Sequence, residues 1–244
     1  MNRSDVLVPD WPVAPSVRAV MTTRAGGVSS GPFASLNLAG HVGDDPASVA
    51  ENRRRLRQVL DLPSDPSWLT QVHGRDVARL PQNLPPGADA AVAFSPGPVC
   101  VVLVADCLPV FLAAPGGDRV GIAHAGWRGL AGGVIEATIA ALDCDPARLI
   151  AWLGPAIGPR HFEVGPEVRD ACLTGRPDAA AEFRPGRDGR WLADLPGLAR
   201  RRLAACGVSS IHGGGHCTVA DPARFYSYRR DGATGRMAAL AWLA

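Results

Sequence analysis

Lysine is missing altogether: all 25 basic residues are arginines. That excludes Schiff-base lysines and lysine general bases, and leaves any bound anion to guanidinium groups and backbone N–H. No sign of charge dominates either. With 23 acidic residues the net charge is +2, so no overall field draws nucleic acid or an anionic membrane. No uninterrupted apolar run reaches the roughly 18–20 residues needed to cross a bilayer. The opening stretch MNRSDVLVPDWPV lacks the charged segment and long apolar run of a signal peptide. Six cysteines (Cys100, Cys107, Cys144, Cys172, Cys206 and Cys217) form no CxxC pair and no regular framework. That pattern reads as free thiols in a reducing compartment, and the expected location is cytoplasmic. There is no GxGxxG sequence and no phosphate loop.

What remains is an ordinary globular composition, 47% apolar and 20% charged over 244 residues. No internal repeat and no linker divides it, so one domain over residues 1–244 is expected. Residues 17–24 read as a strand and run into a Gly- and Ser-rich stretch of more than twenty residues. A loop that long in a compact chain is functional or disordered, and this one carries Asn37 and His41. Asp45-Pro46 marks an N-cap and first helical position, with the helix continuing to about residue 62. Residues 68–72 read as a strand ending at His73-Gly74, with 76–80 as its hairpin partner. Strands follow over 88–94, 99–104, 108–113 and 119–123, with hairpin signals at Ser95-Pro96-Gly97 and at residues 115–118. Residues 129–142, 166–173 and 196–206 read as helices, and 149–153, 209–212 and 236–243 as strands. Strands mixed irregularly with helices predict α+β or mixed α/β rather than a doubly wound parallel sheet.

Three of these runs end on a soft or borderline metal ligand: His73 in QVHG, Cys107 in VADCLPVFL and His124 in AHAGWRG. Each alone has an ordinary reading, as a strand-end histidine or a buried thiol. Together they form the pattern of a site gathered from separate strands, unlike a zinc finger with ligands a few residues apart. Two imidazoles and a thiolate suit Zn²⁺, and three protein ligands leave a fourth position for water or substrate. His216 or Cys217 could close that position and make the site structural. Copper shares this ligand set, but a blue-copper site adds a weak axial methionine, and the chain has only Met1, Met21 and Met237. A Cys107 nucleophile paired with His73 or His124 is the one non-metal catalytic arrangement left. Asp106 reads as an orienting or a structural carboxylate. Arg24, Arg53, Arg128, Arg229 and Arg230 each adjoin glycine, turn or aromatic residues and are candidate anion holders.

The segments TTRAGGVSSGPFASLNLAGHVGDDP, QVHG, ADCLPV, HAGWRG, LGPAIGPRHFEV and FYSYRRDGATGRMA resemble the YfiH family, also called the laccase-domain or polyphenol oxidase family. They spread from about Thr22 to Ala238. The resemblance implies a single layered α/β/β/α domain with mixed β-sheets. It implies zinc held by His73, Cys107 and His124, and phosphorolysis of adenosine, inosine and methylthioadenosine, with adenosine deaminase side activity. Older descriptions of the family imply a copper-dependent phenol oxidase, and another a role in editing peptidoglycan precursors. On this reading Cys107, Arg53 and Arg128 act in catalysis. Asn37, His41, Arg24 and Arg229 contact substrate, with Asn37 and His41 equally readable as loop-capping groups. The expected partners are a small-molecule nucleoside and phosphate, with no nucleic acid and no membrane, and the expected state is a monomer.

Overall fold

The computed structural model describes residues 1–2 and 5–244; Arg3 and Ser4, within the N-terminal stretch read above, lie outside the described residues. Two mixed sheets stack face to face. One has five strands in the order β1 (Val6–Leu7), β2 (Val17–Thr22), β14 (Met237–Leu243), β6 (Val99–Val104) and β3 (Ser67–Trp68). The other has six: β13 (Ser210–Gly213), β9 (Ile150–Leu153), β7 (Leu108–Ala113), β8 (Val120–Ala125), β5 (Ala90–Ala93) and β4 (Val77–Leu80). A small third sheet joins β10 (Glu163–Val164), β12 (Trp191–Ala193) and β11 (Phe183–Pro185).

Alternation along the strands builds the layers. On β6, Cys100, Val102 and Val104 enter the core between the two large sheets, where they meet Ala91, Phe111, Ile122, Ala239 and Ala241. The intervening Val99, Val101 and Leu103 face outward and pack with Leu56 of α1 (Pro46–Leu60). The outer face of the six-stranded sheet supplies Leu108, Val110, Leu112 and Ala123 to a third core. That core takes in Leu130 of α2 (Trp127–Gly132), Ile135 and Ile139 of α3 (Val134–Ala141), Val168 of α4 (Pro166–Leu173) and Leu198 of α5 (Leu195–Ala205). The order is therefore helix, sheet, sheet, helices, the α/β/β/α arrangement expected. Strands covered on both faces need no polar side, which is why β6, β7 and β14 read as unbroken apolar runs.

The ends of α1 follow local chemistry. Asp45 accepts hydrogen bonds from the N–H groups of Ala47 and Ser48, Pro46 occupies the first turn, and Asp61 closes the helix in the left-handed region.

Three local expectations are corrected. Residues 76–80 do not return as a hairpin on 68–72: β4 pairs in parallel with β5 in the other sheet, because the chain is bent away after Trp68 by contacts described below. The Ser95-Pro96-Gly97 turn does not make a hairpin either, since β5 and β6 belong to different sheets. The helix read over 129–142 is two helices. Gly133, at φ +93°, ends α2 and begins α3, a backbone state that glycine adopts without steric cost. The last short helix, α6 (Tyr228–Asp231), comes just before β14.

Candidate metal centre

The slot between the large sheets opens where β6 ends, β7 begins and β8 ends. His124 is the penultimate residue of β8, and Cys107 immediately precedes β7, packed against the inter-sheet core. His73 arrives by a different device. It sits in the left-handed region at φ +59°, where a non-glycine residue costs of order 1–3 kcal/mol unless the surroundings hold it there. Asp89 does the holding. Its fully buried carboxylate accepts the N–H groups of Val72 at 3.0 Å, His73 at 3.0 Å and Gly74 at 2.7 Å. The same carboxylate takes Nδ1–H of His124 at 2.8 Å. One side chain thus bends the chain at His73 and fixes the ring of His124.

The result brings the three sequence-predicted ligands together. One donor atom from each of His73, Cys107 and His124 lies within 4.8 Å of the others. Cys107 Sγ is 4.0 Å from His73 Nε2, and the two imidazoles meet edge to face at 4.9 Å between centroids. Gly126 makes the approach possible: a Cβ there would lie 2.8 Å from Cys107 Sγ and 3.1 Å from His73 Cδ2. On the far side of Cys107, Asp106 stands at φ +92°. Its carboxylate accepts the Thr218 hydroxyl at 2.6 Å and the Arg229 N–H at 2.7 Å. Asp106 therefore shapes the turn before Cys107 and ties it to α6.

Charge in the cluster is strongly coupled. Burial pushes the Cys107 thiol up, but His124 and then His73 outweigh it and bring its pKa down to about 6. Burial favours the neutral His124 ring, but the Cys107 thiolate and the Asp89 carboxylate raise its pKa to about 9. Asp89, although burial opposes it, is held below the usual carboxylate range by His124 and the N–H groups it collects.

The donor set fits a borderline cation. With Nδ1–H given to Asp89, His124 keeps Nε2 for a metal, the carboxylate–histidine–metal relay that fixes tautomer and ring orientation. Among the described residues no fourth His, Cys, Asp or Glu joins the cluster. His216 lies against Arg224 at 3.5 Å and the Cys217 sulfur accepts the Gly158 N–H at 3.2 Å, so both are engaged elsewhere. The methionines are engaged in the core as well: Met237 Sδ accepts the Tyr226 N–H at 3.1 Å, and Met21 is fully buried on β2.

A cavity of about 290 Å³ stands over the three ligands, lined also by His41, Gln71, Leu103, Ala105, Tyr228 and Arg236. Two roomier hollows, of about 650 and 550 Å³, lie around Glu136 and along the N-terminal arm. Neither contains the metal-ligating cluster, so chemistry rather than size selects the smaller one.

His41 lines this cavity, as the sequence suggested. Burial first, then Arg236 and Arg53, lower its pKa and favour the neutral ring. The other predicted contacts lie outside the lining. Asn37 is fully buried and spends its amide on Ala39, Asp44 and the Arg236 N–H. Arg53 donates twice to the Leu38 carbonyl and stacks on Trp68 at 3.9 Å. Arg24 holds the Ala34 and Pro222 carbonyls, and Arg229 those of His161 and Glu163. Arg128 lies exposed over Trp127 at 4.2 Å. Arg24, Arg53 and Arg229 brace loops; a guanidinium beside a carbonyl-rich loop is drawn to the nearest acceptor. Asp89 and Arg236 are what sequence reasoning passed over. The only signal for Asp89 was an acid at the mouth of an all-alanine and valine strand.

Comparison with known proteins agrees over nearly the whole chain. Residues 18–244 match the family described as multi-copper polyphenol oxidoreductase laccase. A purine nucleoside phosphorylase of Pseudomonas aeruginosa is 54% identical over 238 residues, covering 97% of this chain and 98% of that protein. The Escherichia coli purine nucleoside phosphorylase YfiH is 50% identical over 242 residues, covering 98% and 99%. Among solved structures, a Neisseria meningitidis protein superposes with a TM-score of 0.93 at 47% identity, covering 98% of this chain and 99% of its own. YlmD of Geobacillus stearothermophilus gives 0.91 at 34% identity, covering 100% and 97%.

Proposed function

The chain belongs to the family described as multi-copper polyphenol oxidoreductase laccase, and from that premise we propose that it is a zinc-dependent purine nucleoside phosphorylase. Its substrates on this reading are adenosine, inosine and methylthioadenosine, with phosphate. The observation that carries it is a three-ligand His73, Cys107 and His124 cluster opening onto a cavity, in a chain whose relatives at 50–54% identity are named for this activity. The cavity is close to the lower end of the roughly 300–1,000 Å³ range of small-ligand sites.

In the reaction, a phosphate oxygen bonds to the anomeric carbon of the ribose as the bond to the purine nitrogen breaks. The electron pair leaves with the base, which takes up the proton given up by phosphate, and the sugar 1-phosphate remains, its 5-methylthio form in the case of methylthioadenosine. Zinc bound at the cluster would supply Lewis acidity at its open coordination position. The chain's own groups do the rest. Leu103 and Ala105 give an apolar wall, and the Gln71 amide, paired with both backbone groups of Leu103 at 2.7 and 2.9 Å, keeps that wall in place. Asp89 holds the His124 Nδ1 proton throughout. Adenosine deamination in the same cavity would replace phosphate with water, whose oxygen bonds to the purine C6 as ammonia leaves.

Metal analysis of protein purified without added metal, followed by phosphate-dependent release of free base from inosine or adenosine, tests the reading. Zinc at about one per chain, with base release that requires phosphate and disappears in Cys107→Ala, is the expected result. Copper-dependent oxygen uptake without base release would replace it with phenol oxidation. Turnover that survives chelation but not thiol alkylation would replace it with a Cys107 hydrolase. Retention of deamination in Cys107→Ala would separate the two purine activities.

A further inference from the structure

Arginines with a carboxylate partner are easy to find in this chain: Arg176 and Arg202 share Glu136, and Arg201 holds Glu182. Arg236 is different. It is half-buried, and burial outweighs the nearby charges of Cys107 and Asp106, so its pKa is lowered. Among the described residues it has no carboxylate in ion-pair range. A guanidinium taken from water without an anion is costly to keep.

How it is held tells what it is for. Nη1 donates to the carbonyls of Thr234 at 2.8 Å and Gly235 at 3.0 Å. The backbone on either side is pinned to the 24–44 loop: Arg236 N–H to Asn37 Oδ1 at 2.9 Å, and Leu38 N–H to the Arg236 carbonyl at 3.3 Å. With Nη1 anchored, the Nε and Nη2 edge remains without a protein acceptor among the described residues, in a residue that lines the metal cavity. That edge is a two-donor fork matching two oxygens of a tetrahedral or carboxylate anion. Among the described residues no other arginine lines the cavity, and the chain has no lysine to compete. His41, on the same lining, offers a further ring N–H.

We propose that the Nε and Nη2 edge of Arg236, with His41 beside it, forms the oxyanion subsite of the metal cavity and takes inorganic phosphate as its ligand. The assignment of phosphate rests on the phosphorolysis reading above. The subsite itself is a statement about Arg236 and stands or falls separately. It places the anion at the wall next to Cys107 and leaves the apolar wall of Leu103 and Ala105, with the exposed Tyr228 ring at the mouth, for the purine.

The test is calorimetric titration of inorganic phosphate into the full chain loaded with zinc, for the wild type, Arg236→Lys and Arg236→Gln. Metal content and melting temperature serve as controls for folding. Saturable binding to the wild type, weakened at least tenfold in Arg236→Gln and to a smaller degree in Arg236→Lys, is expected, because lysine keeps the charge but loses the fork. Equal binding by wild type and Arg236→Gln overturns the proposal, as does wild type that binds no phosphate. In steady-state phosphorolysis, KM for phosphate should rise at least tenfold in Arg236→Gln while KM for the nucleoside stays within twofold. The reverse split would move Arg236 to the nucleoside and overturn the assignment. Phosphate binding that depends on Arg236 in a protein that splits no nucleoside would sink the phosphorylase reading and leave the subsite intact.

Discussion

Two buried polar hubs organise the mouth of the inter-sheet slot, and they work by different chemistry. On one side the charged Asp89 gathers three successive N–H groups and the His124 ring. On the other, neutral amides hold the 24–44 loop. Asn52 accepts the Val28 N–H and donates to Ser29 and to the Ser35 and Asn37 carbonyls. Asn37 passes the connection on to Arg236. A carboxylate hydrogen-bonded to an imidazole raises the basicity of the ring's other nitrogen, so the Asp89 hub acts on whatever the cluster would bind. The Asn52 and Asn37 amides carry no charge, and Asp44, the carboxylate that Ser29 and Asn37 donate to, hydrogen-bonds to none of His73, Cys107 and His124. The Asn52 hub therefore acts on shape, and through Asn37 on the Arg236 side of the cavity.

The sharpest way to break this comparison is Asp89→Asn, which keeps the size but removes the charge. Zinc affinity should fall by about 10–100-fold, the usual cost of losing such a partner. Competition with a chelator measures it, and an unchanged affinity would erase the distinction between the hubs. The next effect is pH. Between about 6 and 9 the metal-free cluster holds a thiolate and an imidazolium, so each metal bound displaces the His124 proton. Apparent affinity should therefore drop about tenfold per unit as pH falls through that window. Below about 6 the Cys107 proton must also leave and the fall steepens. Titration of zinc at several pH values reads the slope, and a flat response would mean that His124 is already neutral.

Asn52→Ala probes the other hub. Orphaning a buried donor and acceptor set costs about 1–3 kcal/mol, seen as a melting temperature lower by several degrees, with zinc affinity unchanged. A large loss of zinc would show that the two hubs are mechanically one. Smallest of all is Arg128→Gln. With its side chain exposed over Trp127, KM and kcat should stay within about twofold of wild type, surface substitutions being worth within about 0.5 kcal/mol. A tenfold fall in kcat would return Arg128 to the reaction.

The same contrast explains what could be read from the amino-acid sequence. The buried strands were legible because β6, β7 and β14 are apolar on both faces and announce their burial; their order in layers came only with the family resemblance. The cluster of His73, Cys107 and His124 was legible because each stands at the border of an apolar run as a residue type that has little reason to be there. The Asp45 cap was legible because caps act within four residues. Partnerships across the chain were not. Ser95-Pro96-Gly97 marks a turn but says nothing of which sheet receives the next strand. Asp89 looks like a strand's first polar residue until Val72, Gly74 and His124 are brought to it. Arg236 is one arginine among 25, distinguished only by the carbonyls that occupy one of its nitrogens and by the cavity beside the rest. The loop arginines misled for a similar reason: glycine and aromatic neighbours signal a constrained guanidinium, without saying whether a ligand or a carbonyl constrains it.

Because every oxygen lone pair of Asp89 is met by groups of the protein itself, the crook at His73 and the tilt of the His124 ring do not wait for a cation. Stripping and restoring the ion should be a plain exchange inside an already folded scaffold. The chain would then behave less like a finger peptide that collapses without its ion than like a socket that can change occupants without rebuilding its walls.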